Sequence, residues 1–172
     1  LLRPGLSPDE MLRRFRSEAQ LTASLGEHPN IAGLIDAGTT EDGFFYLVTE
    51  YVDGQRIDEY CDALQLSNDQ RLELFLKVCD AVQFAHQRAV IHRDLKPSNI
   101  LVSRTGEVRL IDFGITKLLR PRLNFSSDAT HSMYRVMTPD YASPEQARGE
   151  PTTTASDVYS LGVVLYRLLT GC

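Results

Sequence analysis

The chain has 172 residues, of which 42% are hydrophobic and 24% are charged, and its formal net charge is −5 at pH 7. This composition is typical of a globular domain with a real core, and it excludes disordered, collagen-like and coiled-coil classes. Because 23 acidic residues outnumber 18 basic ones, no overall positive field would attract nucleic acid or an anionic membrane surface. We therefore expect neither as a partner.

The first predicted helix begins at Ser7, where Ser-Pro-Asp-Glu combines an N-cap serine, a proline at the first helical position and a glutamate at the third. A stripe at helical spacing then follows on one face, formed by Met11, Phe15, Glu18, Thr22 and Leu25. Glu18 is the acidic member of this stripe. By periodicity alone it is a partly exposed residue at the stripe edge.

Two strands and a long helix are predicted next. Residues 31–37 and 44–49 are predicted strands, separated by a turn-rich Gly-Thr-Thr-Glu-Asp-Gly segment. A capping box at Ser67 and Gln70 begins a helix predicted to run to about Arg88. Apolar residues cover more than one stripe of this helix, so we expect burial on most of its sides. Within it, we interpret Cys79 as core filler and His86 as a packed, hydrogen-bonded histidine.

A β-hairpin is predicted at residues 100–103 and 108–111, which flank an Arg-Thr-Gly-Glu turn. It places Asn99 at the start of one strand and Asp112 at the end of its antiparallel partner, so the two residues become neighbours in space. Residues 115–141 lack clear periodicity, and a loop this long within a compact domain is usually functional or disordered.

The most apolar stretch, residues 158–169, is too short to span a bilayer and contains Arg167, so it predicts a buried helix. The three cysteines, Cys61, Cys79 and Cys172, are far apart and show no metal-ligand or C-x-x-C spacing. They predict free thiols in a reducing compartment. We expect a cytoplasmic location, or the cytoplasmic side of a membrane protein if a transmembrane segment lies outside this sequence.

Two short motifs carry the chemistry. Residues 92–99 read His-Arg-Asp-Leu-Lys-Pro-Ser-Asn, and residues 112–114 read Asp-Phe-Gly. The carboxylate of Asp94 can accept a hydroxyl proton, while the Asn99 amide and the Asp112 carboxylate can supply oxygen ligands to Mg²⁺, a set suited to phosphoryl transfer. The alternative for each residue taken singly is structural: Asn99 would simply cap a turn, and Asp112 would simply end a strand. The order and spacing of both motifs, with Lys96 present, favour the chemical roles.

In these motifs the chain resembles the Hanks-type (eukaryotic-like) serine/threonine protein kinases. Ser-Pro-Glu at residues 143–145 resembles the family's Ala-Pro-Glu, and Asp-Leu-Lys-Pro around Lys96 resembles serine/threonine rather than tyrosine kinases. Residues 137–146 and 155–162 look most like bacterial members. The resemblance covers essentially the whole chain and implies an α+β, bilobal protein-kinase-like fold, present in part.

The resemblance also implies a domain layout. Residues 1–49 are expected to be a small-lobe remnant with the family's C-helix, residues 50–54 the hinge, and residues 55–172 the large lobe through its central helix. The sequence contains no Gly-x-Gly-x-x-Gly loop and no Val-Ala-Ile-Lys strand, both of which the family carries. We therefore expect the chain to be the middle part of a kinase domain, poorly stable and inactive when expressed alone.

Residue roles follow from the resemblance. Asp94 is expected to be the catalytic base, Lys96 to approach the transferring phosphate, and Asn99 and Asp112 to hold Mg²⁺ at the phosphates of ATP. A second group is expected around the nucleotide: Glu18 pairing with the ATP-binding lysine, Thr49 as gatekeeper, Glu50 and Val52 as backbone contacts of the adenine, and Leu101 beneath it.

The resemblance further implies a protein substrate with a serine or threonine hydroxyl, and control through the activation segment, which corresponds to residues 115–141. Arg93 is expected to bind this segment when it is phosphorylated, and Asp157 to brace the catalytic loop, residues 92–99. Autophosphorylation is possible at hydroxyls of that segment, and the sequence does not choose among Ser126, Ser127, Thr130, Ser132 and Thr138.

Two rival functions share some of these sequence features. Small-molecule kinases of the aminoglycoside-phosphotransferase type share the His-x-Asp and Asn spacing, but they usually lack the Asp-Phe-Gly and Ser-Pro-Glu found here. A non-catalytic pseudokinase that acts as a binding scaffold is disfavoured because the catalytic residues in the chain are intact. For the chain by itself, that second alternative stays open.

Overall fold

The structure is a computed structural model that describes residues 8–113 and 139–171, with a few side chains excepted, among them those of Met11 and Glu18. Helices and strands are mixed along it, and the predicted α+β class is confirmed. In chain order they are α1 (Pro8–Ala23), β1 (Leu34–Thr39), β2 (Phe45–Thr49), β3 (Gly54–Arg56), α2 (Ile57–Ala63), α3 (Asn68–Gln87), β4 (Ile100–Ser103), β5 (Val108–Leu110), α4 (Pro144–Ala147) and α5 (Thr154–Thr170).

Helix α1 packs on a two-stranded antiparallel sheet formed by β1 and β2. Its helical stripe is buried at Phe15, Thr22 and Leu25, and the Phe15 ring lies 4.6 Å from that of Phe45 on β2. Strand β1 begins three residues later than predicted, at Leu34. The reason is that the preceding residues pair elsewhere, because the Ala32 N–H donates to the Leu110 carbonyl at 2.9 Å.

The predicted hairpin forms the middle and edge of a second sheet, in the order β3-β4-β5. Strands β4 and β5 are antiparallel, with Ile100 opposite Leu110, and β5 ends one residue earlier than predicted. Strand β3 pairs with β4 so closely that a Cβ added to Gly54 would lie 2.9 Å from the Val102 carbonyl oxygen. A glycine is therefore required at this crossing.

Helix α3 begins with the predicted capping box, in which Ser67 and Gln70 bond each other's backbone N–H groups. It buries one face against β5 and α5, and that face contributes Leu74, Phe75, Val78, Ala81, Val82 and Ala85 to the core. The prediction that α3 is buried on most sides was wrong. Leu72 and Leu76 are exposed, Leu76 by 64%, because the described elements cover α3 from one direction only.

Helix α5 is capped by Thr153 and ends at Thr170. The following Gly171 has a φ of +73°, the left-handed conformation that suits glycine. Its inner face is buried from Ser156 to Leu168, whereas Val158 and Tyr166 on the outer face are each 61% exposed. The predicted buried helix is thus buried along one face. No helix within residues 8–113 and 139–171 is long and apolar enough to cross a membrane.

Candidate active site

The loop between α3 and β4 gathers three of the predicted residues around one carboxylate oxygen. Asp94 Oδ2 lies 3.1 Å from Lys96 Nζ and accepts a hydrogen bond from Asn99 Nδ2 at 3.2 Å. The same amide nitrogen donates to the Asp94 carbonyl at 2.8 Å. Asn99 is buried, and the Asp94 and Lys96 side chains are about one-fifth exposed. An ammonium and an amide donor stabilise the charged carboxylate, which is the form that accepts a proton.

His92 joins this loop to the Asp-Phe-Gly motif. Its Nδ1 accepts from the Asp94 N–H at 3.3 Å, so its Nε2 carries the proton and donates to the Ile111 carbonyl at 3.0 Å. The ring is buried and lies 4.6 Å from that of Phe113. The His92 ring thus bridges Asp94 and the residue preceding Asp112. The sequence reasoning assigned His92 no role.

Asp157, at the start of α5, is 1% exposed and binds the backbone of the catalytic loop. Its Oδ2 accepts from the His92 N–H and its Oδ1 from the Arg93 N–H, both at 2.8 Å. His86 Nε2 also donates to Oδ2, at 2.7 Å. The expectation that Asp157 braces the catalytic loop is confirmed by these bonds, as is the interpretation of His86 as a packed, hydrogen-bonded histidine.

Asn99 and Asp112 present oxygen atoms suited to a hard divalent cation. The Asn99 amide nitrogen is held by Asp94, and its Oδ1 bonds no residue in the part of the chain that the structure describes. Asp112 is exposed, has a φ of +56°, and receives no hydrogen bond from the residues that the structure describes. The backbone of the two motifs is joined, since the Ile111 N–H donates to the Asn99 carbonyl at 3.0 Å. The donor set therefore fits a metal ion.

The protein ligands proposed for the metal are only two, the Asp112 carboxylate and the Asn99 amide oxygen. Within the described ranges, no group of three or more histidine, cysteine, aspartate or glutamate side chains could hold a metal ion. A metal held by Asn99 and Asp112 would thus take its remaining ligands from phosphate oxygens and water, as magnesium sites commonly do.

The predicted hinge follows β2 and is tied to both sheets. The Glu50 N–H donates to the Gly33 carbonyl at 2.9 Å, and Glu50 Oε2 lies 3.5 Å from Arg109 Nη1 on β5. The Glu50 carbonyl and the Val52 N–H make no hydrogen bond to the residues that the structure describes, so both are available to a ligand. Thr49 and Leu101 are partly buried. Their predicted contacts with adenine stay predictions.

Helix α4 supplies a contact that sequence reasoning missed. The Gln146 Nε2 donates to the Arg93 carbonyl at 2.8 Å, which ties the Ser-Pro-Glu segment to the catalytic loop. The Ser-x-x-Gln spacing could have indicated a helix cap at Ser143, but nothing local indicates a partner 53 residues away. Next to it, the Ser156 hydroxyl donates to Glu145 and holds the pKa of that carboxyl below its ordinary value.

Several predicted residues lie outside the part that the structure describes. They are the side chain of Glu18 and the activation-segment hydroxyls Ser126, Ser127, Thr130, Ser132 and Thr138. Of the cysteines, Cys61 and Cys79 are free, and burial raises the pKa of both thiols. Cys79 packs against the core, in agreement with its interpretation as core filler.

A carboxylate bonded by a lysine and an amide, followed along the chain by a second carboxylate at the end of a hairpin, is the arrangement expected of a protein kinase. The comparison with protein families agrees, because the family described as "Protein kinase domain" matches residues 6–172. The chain belongs to this family. Family membership implies ATP and a divalent metal ion as the small molecules of the site.

Three of the similar curated proteins come from bacteria. Serine/threonine-protein kinase PrkC of Bacillus subtilis is 43% identical over 164 residues, which are 95% of this chain and 24% of that protein. Probable serine/threonine-protein kinase PknB of Lactococcus lactis is 41% identical over 173 residues, 99% of this chain and 26% of that protein. Serine/threonine-protein kinase PknB of Mycobacterium tuberculosis is 40% identical over 176 residues, which are 99% of this chain and 28% of that protein. The chain thus spans about a quarter of the length of these relatives.

Proposed function

We propose that the protein carrying this chain transfers the γ-phosphoryl group of ATP to serine or threonine hydroxyls of protein substrates. The observation that carries the proposal is the grouping of Lys96 and Asn99 on the Asp94 carboxylate, at 3.1 and 3.2 Å. Similarity to bacterial proteins named as serine/threonine-protein kinases supports the choice of hydroxyl.

In the proposed reaction, the substrate hydroxyl oxygen forms a bond to the γ-phosphorus while the bond to the leaving ADP oxygen breaks. Asp94 orients the hydroxyl and takes its proton. Lys96 turns from Asp94 towards the transferring phosphate and offsets its negative charge. Because Lys96 already lies beside the base, this role needs only a rotation of its flexible side chain.

The metal of the site is proposed to be Mg²⁺, held by Asn99 Oδ1 and the Asp112 carboxylate. When bound, Mg²⁺ would neutralise charge on the phosphate oxygens. Hard oxygen ligands and the absence of thiolate or imidazole from the pair favour this ion over softer metals. The exposed position of Asp112 leaves room for the nucleotide phosphates beside it.

Nucleotide binding is proposed at the hinge, residues 50–54, with the adenine bound to the Glu50 carbonyl and the Val52 N–H between the small lobe (1–49) and the large lobe (55–172). Thr49 and Leu101 would border the ring, and Glu18 would pair with an ATP-binding lysine. Autophosphorylation of the activation segment and a cytoplasmic place of action are parts of the same proposal. The free thiols of Cys61 and Cys79 support the latter.

The proposal is tested with the complete protein, Mg²⁺ and γ-labelled ATP, with dephosphorylated casein as a generic acceptor. Phosphoamino-acid analysis of the acceptor and of the protein itself is the readout. We expect phosphoserine and phosphothreonine without phosphotyrosine, and an Asp94→Asn variant that transfers at least about 100-fold more slowly.

Three outcomes would contradict the proposal. Nucleotide binding without any transfer would favour a scaffold, and transfer to an aminoglycoside but to no protein would favour a small-molecule kinase. Transfer at an unchanged rate in Asp94→Asn would show that the base lies elsewhere.

A further inference from the structure

Gln146 is a helix-capping residue whose side chain also reaches the catalytic loop. In the capping box of α4, Gln146 Oε1 accepts from the Ser143 N–H at 3.0 Å, and the Ser143 hydroxyl accepts from the Gln146 N–H at 3.4 Å. The second half of the same amide group, Nε2, donates to the Arg93 carbonyl at 2.8 Å. Capping needs only the oxygen of this side chain. The nitrogen therefore serves a second purpose.

The orientation of the amide is settled by its partners. A backbone N–H can only donate, so the atom facing the Ser143 nitrogen is the oxygen. A backbone carbonyl can only accept, so the atom facing the Arg93 carbonyl is the nitrogen. Exchanging the two atoms would break both bonds at once, and a side chain without an N–H could keep only the first.

Arg93 is the residue on which this bond acts, and it directly precedes Asp94. Its φ is +67°, a left-handed conformation that is unfavourable for a residue with a side chain. Its N–H is held by Asp157 Oδ1 at 2.8 Å and its carbonyl by Gln146 Nε2 at 2.8 Å. Both backbone polar groups of this strained residue are thus bound by buried or partly buried side chains of α4 and α5.

The Arg93 carbonyl belongs to the peptide unit whose N–H is that of Asp94. Fixing this carbonyl therefore fixes the peptide plane that leads into Asp94. The Asp94 N–H points in the opposite direction within the same plane and donates to His92 Nδ1. If the plane rotated, the Asp94 carboxylate would leave Lys96 and Asn99. Displacements of this size in a catalytic group reduce rates severely.

We propose that Gln146 is a positioning residue for Asp94: by donating to the Arg93 carbonyl it holds the Arg93–Asp94 peptide in its catalytic orientation and couples the Ser-Pro-Glu segment to the catalytic loop. The inference rests on the proposed function, since it assigns to Gln146 a part in the transfer carried out by Asp94.

The test is Gln146→Glu in the complete protein. Glutamate keeps the oxygen that caps the Ser143 N–H but has no N–H for the Arg93 carbonyl. The matched control is Gln70→Glu, the same change at the same position of the Ser67 capping box of α3, where the Gln70 Nε2 bonds no other residue of the described ranges. For both we would measure kcat, KM for ATP, and the midpoint of thermal unfolding, with casein as acceptor.

We expect Gln146→Glu to lower kcat at least tenfold, with KM for ATP within twofold and an unfolding midpoint close to that of Gln70→Glu. The control should keep kcat. Gln146→Met, which places no charge near the Arg93 carbonyl, should lose kcat to a similar extent, and it replaces the glutamate variant if that one does not fold. Ser143→Ala removes the hydroxyl from the cap, together with its 3.3 Å bond to Gln146 Oε1, but leaves Gln146 Nε2 able to donate to the Arg93 carbonyl. It should unfold earlier yet keep kcat per folded molecule.

Equal kcat in Gln146→Glu and Gln70→Glu would overturn the inference. So would a loss of kcat in Ser143→Ala as large as that in Gln146→Met, because the effect would then follow from the helix cap. If the unchanged protein transfers no phosphate, the proposed function fails and this inference falls with it, whereas an active unchanged protein with an equally active Gln146→Glu variant removes the inference alone.

Discussion

At the scale of single residues, Asp94 and Asp112 are both carboxylates at the same site, yet their surroundings differ. Asp94 is bonded by Lys96 and Asn99, and its backbone N–H is bonded by His92. Asp112 is exposed, and no residue of the described ranges donates to it. A carboxylate surrounded by donors suits proton transfer, while an uncommitted carboxylate suits a cation. Substitutions of Asp94 and Asp112 should therefore have different effects on catalysis and on metal binding.

Replacing either aspartate by asparagine in the complete protein should therefore give two different defects. Asp112→Asn should weaken the binding of magnesium-ATP by about 10-fold or more, because a ligand charge is lost. Asp94→Asn should lower kcat by about 100-fold or more and leave that affinity nearly unchanged. Isothermal titration with magnesium-ATP, beside steady-state kinetics, measures both. Large and equal losses of affinity in the two variants would show that the separate roles are wrong.

Asp157→Asn should destabilise the complete protein by about 2–5 kcal/mol in denaturant unfolding. The buried carboxylate accepts from three donors, and an amide would turn an N–H group towards at least one of them. Asp80→Asn is the control, because Asp80 also pairs with a histidine, His28, but its side chain is 73% exposed. The control should change stability by less than about 1 kcal/mol. Equal effects of both variants would exclude a bracing role for Asp157.

At the scale of elements, helix starts are the best-defined local features of the chain. Helices α3, α4 and α5 all begin with a capping box, and each cap stabilises its helix by about 1 kcal/mol. Helices α4 and α5 are also joined to each other, since the Ser156 hydroxyl donates to Glu145. Because this bond depends on the charge of the Glu145 carboxyl, the contact between the two helices should depend on pH.

The contribution of Glu145 to stability should disappear in acid. The Ser156 hydroxyl lowers the pKa of Glu145 in the folded state below its unfolded value, so the folded state favours the charged form. The stabilisation is therefore complete above the unfolded pKa and is lost as the pH falls through the folded pKa. The difference in unfolding midpoint between the unchanged protein and Glu145→Gln should be largest near neutral pH and shrink towards pH ~3. A difference that stays constant over this range would contradict the assignment.

At the scale of the whole molecule, the two sheets differ in how well they are covered. Residues Ile100, Val102, Val108 and Leu110 of β4 and β5 are fully buried, whereas Ile35, Tyr46 and Val48 on the two-stranded β1–β2 sheet are exposed. A two-stranded sheet is marginally stable in water. The expectation that the 172-residue chain is poorly stable and inactive by itself stays a prediction, and this sheet is where we expect it to open first.

Hydrogen exchange followed by mass spectrometry should show this order directly. In the 172-residue chain, amides of β1 and β2 should exchange at least about tenfold faster than those of β4 and β5, because the latter open only with the core. Replacing Val108 by alanine should reduce the difference in exchange rate between the two sheets, because exchange in β4 and β5 becomes faster. Equal protection of both sheets in the unchanged chain would mean that they unfold as one unit.

The sequence by itself determined whatever depends on residues close together in the chain. The capping box at Ser67 requires only a spacing of three, and the hairpin that brings Asn99 to Asp112 requires only a turn between two apolar runs. Motif order was also enough to assign the family. These predictions succeeded because local hydrogen bonding and side-chain periodicity act within a few residues.

Only the tertiary structure decided that Gln146 supports the site, because no periodicity in the sequence pairs it with Arg93 across 53 residues. The bracing by Asp157, 65 residues from His92, was expected only through the family resemblance. Likewise, β1 begins late because Ala32 bonds β5, and Leu76 is exposed because of what packs beside α3. Such contacts depend on how whole elements pack, and packing is a property of the folded chain rather than of any short stretch of it.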